Sequence, residues 1–471
     1  MVYSGPPDRL VVDSIHGDVH LLPREWEVVD TGSFQRLRYI KQLGMGHFTY
    51  PNATHTRFAH SLGALGVIIR ILEAAERSGV APRKRNRENL RLAALLHDIG
   101  HYPYSHVMES IGSVLLTEEM VDRQGGDRRL DVATKPYPNH EEVGRLIATR
   151  QKDLVKAIGG PARAREIASI FTRTGTDLKL SKLIHSSLDM DRMDYLLRDS
   201  RAAGVPYGSV DVNYILNNVR VSPTGVVGLS RKALPAAEQL LMARYFMHRA
   251  VYYHKTTVAI EEACRQLLRR LRSRPSETYG VPRDGDEVET LVTSEALRGF
   301  TDAFVDSAVR SALTDGDEII RLLAQAIHTR RPPKLLKEVC GLARKSMACP
   351  EVNYFRLNCR NQLSAVAGEF GIHLGQILFW EPKPFKFEER GSELTLEEAR
   401  QLSAEGEEES IKIFEGEGEP KSIMDIDHSV MRLCAGHLLY QARLYLVCTP
   451  SQEKTDIVER IKERISEWDK A

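Results

Sequence analysis

Cysteine is scarce and scattered in this chain. Its 471 residues hold six, at positions 264, 340, 349, 359, 434 and 448, and none forms a Cys-x-x-Cys pair. That usage argues against structural zinc and suits a reduced, cytoplasmic protein. An excess of one charge is lacking too: 65 Lys and Arg against 64 Asp and Glu leave a formal net charge of +1. No global field therefore draws the chain to nucleic acid or to an anionic membrane, although local basic clusters are compatible with that balance. The first residues, MVYSGPPDRLVVD, have neither the basic segment nor the apolar core of a secretory signal. No apolar run reads as long enough to span a bilayer, so no membrane partner is expected. No internal repeat is found. What remains is an ordinary globular composition, 42% hydrophobic and 27% charged, enough for one large domain or two to three small ones.

The chain is organised around LRLAALLHDIGHYPYSH, residues 90–106. Leu92, Ala93, Leu95, Leu96 and Ile99 give an apolar helical face, and Gly100 stands where a helix usually stops. His97 and Asp98 then lie on the last turn of a largely buried helix. Either a hydrogen-bonded core pair or a metal must satisfy them there. Adjacent helix residues point about 100° apart, so a shared ion would sit off the helix end and take further ligands from other helices.

Elsewhere the pattern predicts a strand, turn and strand over residues 9–22, then a helical stretch opened by Pro23 and broken at Thr31-Gly32-Ser33. Residues 46–55 read as a loop, and a helix carrying His60 follows. A basic connector is expected over 79–88, and His140 opens another helix. A β-prone piece at 219–229 precedes one long helix over 235–271. Residues 290–343 also read as helix, interrupted at 314–316 and 331–333. After about Phe370 the composition changes, with strands expected at 372–380 and 443–448. Between them, residues 388–419 hold twelve acidic and three basic residues, about nine net negative charges, and read as an exposed insertion.

RFAHSLG (57–63) and SLDMDRMDYLLRDS (187–200) add His60 and Asp191 to the His97-Asp98 pair. The order His…His-Asp…Asp is the signature of HD-domain metal-dependent phosphohydrolases. The sequence resembles their deoxynucleoside triphosphate triphosphohydrolase branch, most closely the animal-type enzymes that carry a sterile-alpha-motif domain. The resemblance runs from about Val12 to about Lys255, with FQRLRYIKQLG, TRFAHSLG, LLHDIGH, DMDRMDYLLRD and HRAVYYHK as the dense matches. Because it begins almost at residue 10, the sterile-alpha-motif domain is expected to be absent.

The resemblance implies a mainly α fold: an HD-type helical catalytic domain over 1–370, its metal core at about 30–260, and a smaller α+β C-terminal lobe over 371–471 with the acidic insertion. It implies a divalent metal on His60, His97, Asp98 and Asp191. Two imidazoles and two carboxylates suit iron, manganese, zinc or magnesium alike. His101, His106 and His140 match histidines around the α-phosphate, where an imidazole gives a proton to the leaving oxygen or holds the phosphates. Their acidic partner falls on Glu109, where the animal enzymes carry Asp. Arg57, Arg192, Tyr195 and Arg244 match phosphate contacts, Arg192 replacing a Lys. Gln42 and Asp199 match residues on the sugar 3′-hydroxyl, and Leu43 is grouped with the substrate contacts. Tyr252 matches a ring under the sugar that leaves no room for a 2′-hydroxyl, and His248 and His254 match residues near base and sugar.

Arg9, Asp30, Gln35 and Arg38 match an activator pocket for GTP or a dNTP, although Asp18 replaces a His there and Asp30 and Arg38 could equally pair with each other. The family's pockets form between subunits, so a homodimer or homotetramer is expected. The expected activity is metal-dependent hydrolysis of dNTPs to deoxynucleoside and inorganic triphosphate, with nucleic acid not required. It is compatible with dNTP depletion in defence against phage, which no residue demands. The alternatives are another HD phosphohydrolase acting on a different nucleotide, or a catalytically silent nucleic-acid-binding scaffold. The HDxGYP extension of cyclic-dinucleotide phosphodiesterases and the acidic pair of alarmone hydrolases are both missing.

Overall fold

The computed structural model describes residues 9–80, 82–112, 135–172, 188, 190–222, 226–344, 349–387, 410–416 and 419–470. The chain enters through a two-stranded antiparallel ribbon, β1 (Arg9–Asp13) and β2 (Gly17–Leu21), with Arg9 opposite Leu21. The Asp13 carboxylate accepts from the backbone N–H of Ile15 and of His16, both at 2.9 Å, which closes the turn. Pro23 then opens a short helix, and Thr31 caps the next by accepting from the Phe34 N–H.

The helix Arg57–Arg77 is the axis of the fold. It has no proline, and its apolar residues recur all round, so it is buried along most of its length. It has the length and hydropathy of a membrane span, against the sequence expectation, but most of it lies inside the protein. Leu62, Leu65, Ile68, Ile71 and Leu72 are almost fully buried, each contributing about 1.5–3 kcal/mol of apolar transfer. It packs against two further helices, Lys84–Leu96 and Met190–Ala203. Gly63 permits the second crossing: a Cβ there would stand 1.9 Å from Asp194 Oδ1. Gly100 does the same for the helix His140–Arg150, since its Cβ would stand 2.0 Å from the His140 carbonyl oxygen.

Among the described residues, two four-stranded sheets accompany the β1–β2 ribbon. One runs β5 (Lys334–Arg344), β10 (His437–Leu446), β6 (Ile377–Trp380), all antiparallel, with β7 (Phe385–Lys386) also on β10. The helices Pro350–Glu369 and Ile457–Arg464 pack near β5, and a second buried cluster draws on residues 336–468. The other sheet runs β3 (Val219–Val221), β4 (Val227–Ser230), β8 (Lys412–Phe414), β9 (Lys421–Ser422), with β4 and β8 parallel. The late chain thus returns to the helical core.

Four expectations are corrected. The single helix over 235–271 is two, Leu234–Met247 and Lys255–Arg272, joined through a π turn at His248–Tyr252. The extended backbone at His254 stops the first, and its ring caps the second by accepting from the Thr256 N–H. Residues 334–343 are strand rather than helix. Leu335 pairs with Tyr445 and Lys337 with Leu444, so the register shifts around Leu336 and breaks the period-two pattern. The connector expected over 79–88 is shorter, because a helix already starts at Lys84. The strand expected at 443–448 begins earlier, at His437. Most of the acidic stretch, residues 388–409, lies outside the described residues; its later part contributes β8.

Candidate active site and metal centre

Three helices carry the four candidate metal-ligating residues, of which His60, His97 and Asp191 bring their ligand atoms within 4.8 Å of one another. His60 lies in the first turn of Arg57–Arg77, Asp191 in the first turn of Met190–Ala203, and His97 caps the end of Lys84–Leu96, with Asp98 in the turn beyond. That turn is pinned from beneath by buried Arg36, whose Nη2 donates to the carbonyls of Ile99 and His101 at 2.7 and 3.0 Å.

His60 Nε2 stands 2.9 Å from Asp191 Oδ1, 3.6 Å from Asp98 Oδ2 and 3.3 Å from His97 Nε2. His97 Nε2 lies 3.4 Å from Asp98 Oδ1 and 3.6 Å from Asp191 Oδ1. The other nitrogen of each ring is committed. His60 Nδ1 donates to Asp194 Oδ2 and His97 Nδ1 to the Ala94 carbonyl, both at 2.7 Å. In the neutral rings both Nε2 lone pairs therefore face each other and two carboxylates, an arrangement that needs a cation. The residues fit a divalent metal, with Asp194 orienting a ligand in the way such outer carboxylates do.

Without a metal, a proton fills that role. Burial disfavours a charged His60, but hydrogen bonds from Asp191 and Asp194 raise its pKa to about 10. Burial also opposes charge on His97, while Asp98 and Asp191 raise it above 6.5. Asp98 stays ionised despite burial because Arg57, His101 and His97 surround it. Metal binding must displace the His60 proton.

A second cluster adjoins the first through Asp98, whose Oδ1 accepts from His101 Nε2 at 3.1 Å. Glu109 receives His106 Nδ1 and His140 Nδ1, each at 2.8 Å, and also the His140 backbone N–H. Both rings are thereby left with Nε2 free of Glu109. Burial works against charge on His140, but Glu109 raises its pKa above 6.5; burial and nearby Arg57 push His101 well below that value. The His101 and His140 rings are stacked, with centroids 4.2 Å apart and planes 13° from parallel. Imidazole lone pairs lie in the ring plane, so one ion does not suit both rings. The rings are held instead by contacts to Glu109 and Asp98.

All members of the two clusters except His60 and Glu109 line a cavity of about 530 Å³. Of the residues singled out from the sequence, Gln42, Leu43, Arg57, His97, Asp98, His101, His106, His140, Asp191, Arg192, Tyr195, Asp199, Arg244, His248 and Tyr252 face it. His60 is fully buried behind the wall. Tyr252 Oη donates to Asp199 Oδ2 at 2.8 Å, and His55 Nε2 lies 2.7 Å from Asp199 Oδ1, which holds ring and carboxylate together. His254 is not in the cavity wall; it caps its helix with its ring edge-on to Tyr50. Arg57 is in the wall, yet its N–H groups are directed to Asp98, Ser105 and the Gln42 carbonyl.

Arg9, Asp30, Gln35 and Arg38, expected to form an activator pocket, lie outside that cavity. Arg38 Nε donates to Gln35 Oε1 at 2.6 Å and its guanidinium sits 3.5 Å over Phe58. Gln35 donates to the Val29 carbonyl, Arg9 covers Trp26, and Asp30 is exposed. His55 and Ser105 have places in the site that the sequence did not reveal, and Asp194, which the sequence puts on one helical face with Asp191, Tyr195, Arg198 and Asp199, holds His60 rather than facing the cavity. The i, i+3 spacing from Asp191 was the available signal for Asp194.

A family model described as the HD domain matches residues 57–199, and one described as the HD associated region matches 210–405. An uncharacterized protein of Methanocaldococcus jannaschii is 35% identical over 251 residues, 53% of this chain and 46% of that one. A deoxynucleoside triphosphate triphosphohydrolase of Bos taurus is 28% identical over 274 residues, 52% of this chain and 45% of that protein. The chain spans about half the length of the curated relatives it matches. The crystal structure of a phosphohydrolase from Bacteroides thetaiotaomicron superposes with a TM-score of 0.66 at 22% identity, covering 93% of this chain and all of the other, a likeness of fold.

Proposed function

Because this chain belongs to the HD-domain superfamily of phosphohydrolases, we propose that it hydrolyses deoxynucleoside triphosphates to deoxynucleoside and inorganic triphosphate. The observation that carries the reading is the shared Asp98 carboxylate, 3.4 Å from His97 Nε2 on the metal side and 3.1 Å from His101 Nε2 on the histidine side. A phosphorus held at that junction is within reach of both clusters.

A divalent ion held by His60, His97, Asp98 and Asp191 would polarise a phosphoryl oxygen and acidify water. The chain's own groups do the rest. Water adds to the α-phosphorus as the bond from phosphorus to O5′ breaks. His140, whose pKa Glu109 raises above the ordinary imidazole value against the effect of burial, gives its proton to O5′, and the proton lost by the water restores the imidazolium. The triphosphate carries about four negative charges; Arg192 and Arg244 in the wall offer forked N–H donors to its oxygens. Tyr252, tied by its hydroxyl to Asp199, closes the sugar end.

The test is to incubate the protein with each dNTP and each NTP in manganese, magnesium, iron or zinc and separate the products by anion exchange. Deoxynucleoside and triphosphate from dNTPs support the reading. No dNTP turnover with any metal, alongside cleavage of another nucleotide, replaces it with a different HD reaction.

A further inference from the structure

We infer that Ser105 is a positioning residue, held in a strained turn so that its hydroxyl fixes Arg57 against the metal ligand Asp98. The inference deepens the hydrolase reading and rests on it for its kinetic arm. Tyr104 and Ser105 are consecutive non-glycine residues with φ of 51° and 54°; among the described non-glycine residues only Arg330 shares a positive φ. Ser105 combines it with ψ of −118°, a conformation that glycine adopts freely and an L side chain resists. Strain of this kind persists only where the surroundings impose it.

The surroundings here are explicit. The Tyr104 backbone N–H donates to Asp302 Oδ1 at 2.7 Å, and its phenol donates to Asp306 Oδ1 at 2.6 Å. Both carboxylates sit on the helix Asp302–Ala312, within the HD associated region rather than the HD match. Gly44 crosses closely on the other side, where a Cβ would lie 3.1 Å from the Tyr104 carbonyl oxygen.

What the turn achieves is equally specific. Ser105 Oγ accepts from Arg57 Nε at 3.0 Å and Nη2 at 2.9 Å, and donates to the Lys41 carbonyl at 3.1 Å. That leaves Nη1 to donate to Asp98 Oδ2 at 2.7 Å. Arg57 is 5% exposed, yet it lines the cavity. Glycine would satisfy the backbone better, so the hydroxyl accounts for serine at this position. The associated region thus reaches the metal site through Asp302, the Tyr104–Ser105 turn and Arg57.

The experiment compares Ser105→Ala, Arg57→Ala and the double variant in metal-loaded protein, with dGTP as substrate. Loss of the hydroxyl should lower kcat about tenfold or more, since small misplacements in a site are costly, with KM changed less. The double variant should be no slower than Arg57→Ala alone. Multiplying effects, or wild-type kcat in Ser105→Ala, would overturn the inference. Manganese affinity reads the same coupling without turnover: Ser105→Ala should shift it in the direction of Arg57→Ala and add nothing in the double variant. An affinity that changes in Arg57→Ala but not in Ser105→Ala also overturns it. Strain is tested separately in metal-free protein, where Ser105→Gly should melt about 1–3 °C above Ser105→Ala; equal or lower melting refutes it. A wild type that turns over no dNTP sinks the hydrolase reading alone, because the affinity and melting arms still decide this one.

Discussion

Gly63→Ala should weaken metal binding without touching a ligand. The added Cβ would stand 1.9 Å from Asp194 Oδ1 and 2.3 Å from Arg198 Nη2. Relief to ordinary contact requires the carboxylate to retreat by roughly 1.4 Å or the helices to part by as much. The 2.7 Å bond from His60 Nδ1 to Asp194 Oδ2 then stretches beyond hydrogen-bonding range. Loss of such an outer carboxylate costs about 10–100-fold in metal affinity, or about 1.4–2.7 kcal/mol. Overpacking adds about 1–3 kcal/mol of instability. Gly66→Ala, one turn along the same helix, is the matched control. Its Cβ would meet Val19 Cγ2 at 3.3 Å, His16 Cβ at 3.7 Å and His16 Cγ at 4.0 Å, none as close as the contacts at Gly63, and alanine gains helix propensity there. Isothermal titration of manganese into both folded variants decides the matter. Equal affinities would refute the claim that Asp194 orients His60.

Tyr252→Ala should lower dNTP turnover and narrow the dNTP-to-NTP ratio of kcat/KM, measured on dGTP and GTP; an unchanged ratio makes the ring packing only. Glu109→Gln removes the carboxylate that raises His140, so the alkaline limb of kcat/KM should move to lower pH. In wild type, the stability linked to charged His140 is fully present below about pH 6.5 and is lost as pH rises through its raised folded value; thermal melts against pH check that direction. Chelation should lower the melting temperature, and manganese binding near neutral pH should release protons, because His60 holds one up to a pKa of about 10. Titration in buffers of different ionisation enthalpy measures that release, and none would contradict the proton-filled site. A homodimer or homotetramer is expected, and sedimentation showing only monomer with and without nucleotide would remove that idea together with an intersubunit activator pocket.

The parts of this molecule that sequence could disclose are those that local chemistry encodes. The helices around His60 and His97 announce themselves through apolar periodicity, and the His-Asp pair through the cost of burying it unsatisfied. The π turn at His248–Tyr252 has no compositional mark, because its residues would sit equally well in a continuous helix. The strand Lys334–Arg344 hid behind a register shift that disrupted its alternation. Asp194 shares a helical stripe with Asp191, Tyr195 and Asp199, yet it turns towards His60, His16 and Arg198 while the other three face the cavity. Only the crossing at Gly63 decides that division. Ser105 was invisible for a related reason, since its role depends on a backbone conformation that Asp302 imposes from about 200 residues away.

The most direct test of the account is hydrolysis of dGTP in water enriched in oxygen-18, with manganese bound and the products resolved by mass spectrometry. Attack at the α-phosphorus predicts one heavy oxygen in the inorganic triphosphate and none in deoxyguanosine. Label in the deoxyguanosine would mean attack at carbon, and release of deoxyguanosine monophosphate with pyrophosphate would mean cleavage at the wrong bond; either result contradicts the account.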